Sequence, residues 1–206
     1  MMMLSVSPQF LSAQVKMRDV FCQMPDTLAP YLTENNRLDL VDFIESGMTA
    51  EVTNKLEGKT RLEVLTADYA KLKLSDASTM EFRLLTHEAM RSGSGAVNSS
   101  GSDAVDSSES YEEVDSLIQE LCVVWTYGTS NRESVVSFYT PDWTPLPADK
   151  RMPQGSRGYE AQLNPQEPTL TLVNDGKLDF PANEEQEKIE MRLINLKWNG
   201  RSFNLY

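Results

Sequence analysis

Residues 62–84 run Leu62-Glu63-Val64-Leu65-Thr66-Ala67-Asp68-Tyr69-Ala70-Lys71-Leu72-Lys73-Leu74-Ser75-Asp76-Ala77-Ser78-Thr79-Met80-Glu81-Phe82-Arg83-Leu84. Leu62 and Val64, then Leu72 and Leu74, then Met80, Phe82 and Leu84 recur at every second position, with Glu63, Lys71, Lys73, Glu81 and Arg83 beside them. A two-residue beat places the apolar set on one face of a pleated strand and the charged set on the other. The breaks at Ala67-Asp68 and Asp76-Ala77 leave room only for tight connections. The stretch therefore reads as three antiparallel strands, a meander with one face on the core and the other in water.

Upstream the beat changes. Val15, Met17, Val20, Phe21 and Met24 follow mostly three- and four-residue spacing as far as Pro25, which predicts a short amphipathic helix. Thr33 is an N-cap for a second helix on which Leu40, Val41, Ile44 and Met48 share a face, and Gly47 supplies its left-handed stop. Thr49 to Leu56 reads as a further short helix ended by Gly58.

Downstream, Leu121, Val123, Trp125 and Tyr127 share one strand face, and Gly128 to Asn131 turn the chain into a return through Val136 and Phe138. Asn199-Gly200 is the preferred pair for a two-residue type I′ turn, which sets Leu196 opposite Phe203 and Ile194 opposite Leu205. It also leaves Trp198 exposed, stacking on Arg201. Asn174-Asp175-Gly176 reads as a three-residue hairpin loop setting Leu172 against Leu178 and Leu170 against Phe180. The expected class is α+β, with N-terminal helices packed on a predominantly antiparallel sheet of about eight strands, divided three and five, in one sheet or two.

Residues 91–115 contain eight Ser, three Gly, six acids and one base, too little apolar surface to offset the entropy of ordering. Four segments follow: a leader at 1–14, helices plus meander at 15–90, an acidic linker or loop insertion at 91–115, and antiparallel hairpins at 116–206 that form one domain with 15–90. In the leader, Ala13 precedes Gln14 as a small residue does at a secretory cleavage point. No Lys or Arg precedes Lys16 and Pro8-Gln9 interrupt the apolar run, so a signal remnant and a frayed tail both fit.

A chain of 206 residues with 40% hydrophobic and 24% charged residues falls in the ordinary globular range. Its net charge of −12 repels phosphate backbones, which excludes nucleic acid as the expected partner. No run of 18 apolar residues occurs, so no integral membrane segment is expected. Cys22 and Cys122 match no zinc spacing and read as free thiols in small core positions, with a single bridge as the alternative.

Several residues are chemical candidates. His87 is the single histidine, so any base-assisted nucleophile would have to pass through it, and it reads as structural. Asp39, Asp42 and Glu45 line one side of the second helix with Asp26 and Glu34 nearby; Asp26, Asp39 and Asp42 could serve a carboxylate-based hydrolase, with Arg37 orienting substrate. The simpler reading is a solvated helix face. Asn35-Asn36-Arg37 at the first helical turn either satisfies loop carbonyls or presents donors to an anionic ligand. Tyr127, Trp125, Trp143, Tyr139 and Trp198 could form an aromatic sugar-binding platform or simply pack. No phosphate-loop or dinucleotide pattern calls for a cofactor.

Met24-Pro25-Asp26, Pro30-Tyr31-Leu32-Thr33-Glu34-Asn35-Asn36-Arg37-Leu38-Asp39, Asp42-Phe43 and Glu51-Val52-Thr53-Asn54 together resemble an uncharacterised family of exported gut-bacterial proteins, domain of unknown function 3256. Thr126-Tyr127-Gly128, Glu133-Ser134 and Phe138-Tyr139 are similar to it as well. The resemblance spans roughly residues 15 to 90 and 116 to 206, and implies a periplasmic or envelope-facing protein with no assigned activity. The expectation is a non-enzymatic binding or accessory protein that meets a protein or small-molecule ligand, with Asn35, Asn36, Arg37, Asp39, Asp42 and Tyr127 as ligand-binding candidates and no catalytic or metal residues. The hydrolase and a half-barrel carrier of an apolar ligand are the alternatives.

Overall fold

The computed structural model describes residues 14–88, 117–130, 132–153, 160–174 and 192–206. The expected linker, positions 178 and 180, and all of the leader but Gln14 lie outside them. Two helices, α1 (Met17–Cys22) and α2 (Glu34–Glu45), precede the strands β1 (Glu51–Thr53), β2 (Lys59–Leu65), β3 (Tyr69–Ser75) and β4 (Ser78–Glu88). Then come β5 (Leu117–Tyr127), β6 (Glu133–Tyr139), β7 (Pro145–Leu146), β8 (Glu160–Leu163), β9 (Thr169–Asn174), β10 (Arg192–Trp198) and β11 (Phe203–Leu205). Strands β1 to β7 form one antiparallel sheet in chain order, and β8 to β11 form a second, in the order β11-β10-β9-β8.

The meander is present as β2, β3 and β4, and Met80, Phe82 and Leu84 are buried. Together with Leu72 and Leu121 they pack beneath Met17, Val20 and Phe21 of α1 and Leu40 and Val41 of α2. Phe82 meets Phe21 at 5.9 Å and Trp143 at 6.3 Å, both edge to face. Trp143 sits at φ 67°, a conformation an aromatic residue adopts at a cost, and its indole N–H donates to the Val20 carbonyl at 2.9 Å. That bond and the burial of its ring stitch the turn before β7 to α1.

The charged face of the meander meets water at Glu63, Lys71 and Lys73, as the alternation implied, but not along β4. Glu81 and Arg83 are buried because the second sheet lies across β4, β5 and β6. Leu85, Cys122, Val124 and Phe138 meet Ala161, Leu163, Leu170, Leu172, Leu196, Trp198 and Phe203 there in a separate core. The result is three layers, with a large sheet between short helices and a small sheet. Among the described residues there are eleven strands in two sheets, and they do not divide three and five.

Polar residues on the large sheet satisfy the backbone of β8, whose edge away from β9 has no strand beside it among the described residues. Glu81 accepts from the Leu163 N–H at 2.7 Å, Ser134 Oγ accepts from the Ala161 N–H at 2.8 Å, and Arg83 donates to the Asn164 carbonyl at 3.2 Å. An edge that could pair with another chain is thereby closed by side chains.

Two local expectations are corrected. Thr49 to Leu56 is not helical. Residues 51–53 pair with β2, and Asn54 Oδ1 accepts from the Leu56 and Gly58 N–H groups at 2.9 and 3.1 Å, with Glu57 left-handed at φ 61°. The Asn54 side chain thus builds a turn where four-residue spacing suggested a helix. Asn199-Gly200 does not make a two-residue turn. Asn199 Oδ1 accepts from the N–H groups of Arg201 and Ser202, both at 2.9 Å, so that Trp198 faces Phe203 and Leu196 faces Leu205. A two-residue slip keeps every side chain on its face, and the observed register buries Trp198 against Phe203 at 5.4 Å and Phe138 at 6.4 Å instead of exposing it. Strand β9 pairs Leu172 with Ala161 and Ile194 and Leu170 with Leu163 and Leu196, while Leu178 and Phe180 of the expected hairpin lie outside the described residues.

Cys22 packs on the helix side of the large sheet and Cys122 faces the small sheet, so both are free thiols separated by the sheet itself.

Candidate functional site

At the start of α2, Thr33 Oγ1 accepts from the Asn36 N–H at 3.1 Å while Asn36 Oδ1 accepts from the Thr33 N–H at 3.2 Å, a reciprocal capping box. Arg37, buried, donates through Nη1 to Asp26 at 2.9 Å and to the Leu32 carbonyl at 3.0 Å, and through Nε to the Cys22 carbonyl at 3.3 Å. The guanidinium holds the Asp26 carboxyl below the usual carboxylate range. Asn36 and Arg37 thus tie the helix to the loop before it. Asn35, Asp39 and Asp42 stand exposed on α2. Asp42 lies 3.9 Å from Arg18, which also bonds Glu45 at 2.9 Å and so links α1 to α2.

This arrangement supplies little for hydrolysis. A general acid needs a raised pKa, and Asp26 is shifted the other way by Arg37. No hydrogen bond or ion pair joins Asp39 to Asp26 or Asp42 among the described residues. Burial pushes the Cys122 and Cys22 thiols up, away from the thiolate a nucleophile requires. His87 lies on β4 against Trp198 at 6.4 Å, and its Nδ1 has no hydrogen-bond partner that would orient it as a base. Among the described residues no group of three His, Cys, Asp or Glu converges as metal ligands would. Both faces of the large sheet carry packed layers where a half-barrel carrier would hold an apolar concavity.

The expected aromatic platform is dispersed, yet part of it survives. Trp143 and Trp198 are in the two cores, and Tyr139 packs on Trp143 at 5.4 Å. Trp125 and Tyr127 remain on the helix face of β5 at an end that α1 and α2 do not cover, with Tyr127 41% exposed. Their rings stack at 5.0 Å and 24°. Trp125 Nε1 donates to Ser78 Oγ at 2.8 Å, which fixes the indole on the sheet. Val135, opposite Trp125 on β6, is 56% exposed, and Glu133, opposite Tyr127, is exposed too. Tyr31 is 36% exposed in the loop before α2, and its carbonyl accepts from the Lys55 N–H at 2.9 Å. It lies close enough to help burial raise the Tyr127 phenol's pKa.

Sequence reasoning singled out Trp125 and Tyr127 but missed Tyr31, Glu133 and Val135, because their neighbourhood depends on strand pairing and on how far two short helices reach. The available signal was the length of β5, which runs on past the apolar positions that two helices of six and twelve residues can cover.

The family described as "Protein of unknown function (DUF3256)" matches residues 9–111, half of the sequence. The chain belongs to this family. The DUF3256 match takes in both helices, Tyr31 and the strands through β4, and stops before Trp125 and Tyr127. Among solved structures the chain is similar to one titled "Structure of a domain of an uncharacterized protein from Porphyromonas gingivalis W83", at 17% identity and a TM-score of 0.61, over 92% of this chain and 97% of that one. At that identity the likeness concerns the fold. No curated protein matches the sequence.

Proposed function

We propose that this DUF3256 protein is a non-enzymatic binding or accessory protein, exported to the cell envelope, which meets its partner through Tyr31, Trp125, Tyr127 and Val135. The observation that supports the reading is the exposed stack of Tyr127 on a Trp125 held by Ser78, with Val135 exposed opposite Trp125 and Tyr31 exposed near enough to act on the Tyr127 phenol. Contiguous exposed aromatic and apolar side chains mark interaction surfaces on soluble domains, and Tyr and Trp are the residues such surfaces use most effectively. A rigid strand costs less to order on binding than a loop does. Export rests on residues 1–14 and on the family resemblance.

The test is native mass spectrometry of the protein recovered from its own cells. Wild type is expected to retain a partner that the double variant Tyr127→Ser, Val135→Ser releases while keeping the wild-type melting temperature. Equal retention by both proteins would overturn the assignment of the surface, and an intact mass lacking cleavage near Ala13 would overturn export through that leader.

A further inference from the structure

We infer that the partner presents a cationic side chain, from a lysine- or arginine-bearing segment of a second protein, to the Tyr127 face and the Glu133 carboxylate. The inference rests on the binding role proposed above and adds the chemistry of what is bound. Three observations carry it. Tyr127 and Trp125 are stacked, so the ring left open to solvent is backed by a second π system, and an aromatic face attracts a cation through its quadrupole. Glu133 is the direct cross-strand neighbour of Tyr127, on the same face and exposed, and it forms no ion pair among the described residues. Its charge is therefore available to a ligand. The chain as a whole carries a net charge of −12, a field that draws in basic partners and repels acidic ones.

Near Tyr31, Asp26 is already bonded to Arg37 at 2.9 Å. On the opposite face of the sheet Arg132 pairs with Glu160 at 3.3 Å. Glu133 is the charge directly across the strand pair from Tyr127, without an ion pair among the described residues, and its sign selects a cation.

The full-length protein is titrated with a lysine tetrapeptide and, separately, with a neutral malto-oligosaccharide while tryptophan emission is followed. Trp143 and Trp198 are buried, so Trp125 is the reporter. The peptide is expected to give a saturable change that Tyr127→Ala weakens by about two- to fivefold and Tyr127→Phe preserves, since the cation needs the ring and not the hydroxyl. Glu133→Gln is expected to weaken binding at low ionic strength, with the difference vanishing at about 1 M salt, where charges are screened within about 3 Å. The proposal is overturned by no response to the peptide, by a response that both Tyr127→Ala and Glu133→Gln leave unchanged, or by tighter binding of the oligosaccharide. If the peptide fails but the cell-derived partner is still released by the Tyr127 variant, the cation is wrong and the binding surface stands. If both fail, both fall.

Discussion

Glu81 holds its carboxylate between two sheets, bonded to the Leu163 N–H at 2.7 Å with Lys71 at 3.6 Å. Burial pushes its pKa up despite that bond and Lys71. The folded protein therefore binds this proton more readily than the unfolded chain, and the contribution, whole below the unfolded pKa, is lost as pH rises through the folded one. Glu81→Gln keeps an acceptor for Leu163 and removes the charge. Its melting temperature should match or exceed wild type at neutral pH, and the difference should shrink as pH falls towards about 4. A variant less stable than wild type at neutral pH would show that the charge itself is needed. Glu81→Leu, which leaves the Leu163 N–H without a partner, should cost about 1–3 kcal/mol by denaturant unfolding. Asn36 is the second residue to test. It is half of the capping box of α2, so Asn36→Ala should lower stability by about 1 kcal/mol in the same measurement.

Among the elements, α2 is the best anchored, through Thr33 and Asn36 at its start, Gly47 just past its end, and Arg37 reaching back to the Cys22 and Leu32 carbonyls. Arg37→Ala leaves both carbonyls short of a donor and opens a cavity, and should cost about 2–4 kcal/mol by denaturant unfolding, whereas Asp26→Asn, whose side chain is half in water, should cost far less. Equal losses would mean that the ion pair, not the carbonyl bonds, holds the loop. Thr33 and Gly47 were legible in the sequence because capping, left-handed glycine and helical spacing are local signals, whereas Asn35-Asn36-Arg37 left loop carbonyls and an anionic ligand both open. The period-two strands β2, β3 and β4 were legible for the same reason. What failed was anything decided across the sheet. Alternation at Glu81 and Arg83 looks the same whether water or the edge of β8 lies above them. A two-residue slip in the β10–β11 hairpin conserves every face, so only the burial of Trp198 against Phe203 decides it.

On the scale of the whole molecule, the two cores share one wall, the strands β4, β5 and β6, with Phe82 facing the helices and Phe138 facing the small sheet. Phe138→Ala, which loses the rings of Trp198 and Phe203 at 6.4 and 6.2 Å, should cost about 3–5 kcal/mol. Near- and far-ultraviolet circular dichroism should then follow a single transition, because neither core can empty without exposing the shared strands; two separated transitions would show that the small sheet unfolds alone. The candidate site follows from the same architecture. Tyr127 and Trp125 were visible as aromatics, but their exposure depends on two helices too short to roof the far end of β5. Carbene footprinting of the protein with and without its cell-derived partner measures that surface most directly. Binding through the Tyr127 face predicts protection concentrated on Tyr31, Tyr127 and Val135, with Asn35, Asp39 and Asp42 still labelled. Protection on the outer face of α2 with Tyr127 fully labelled would contradict it.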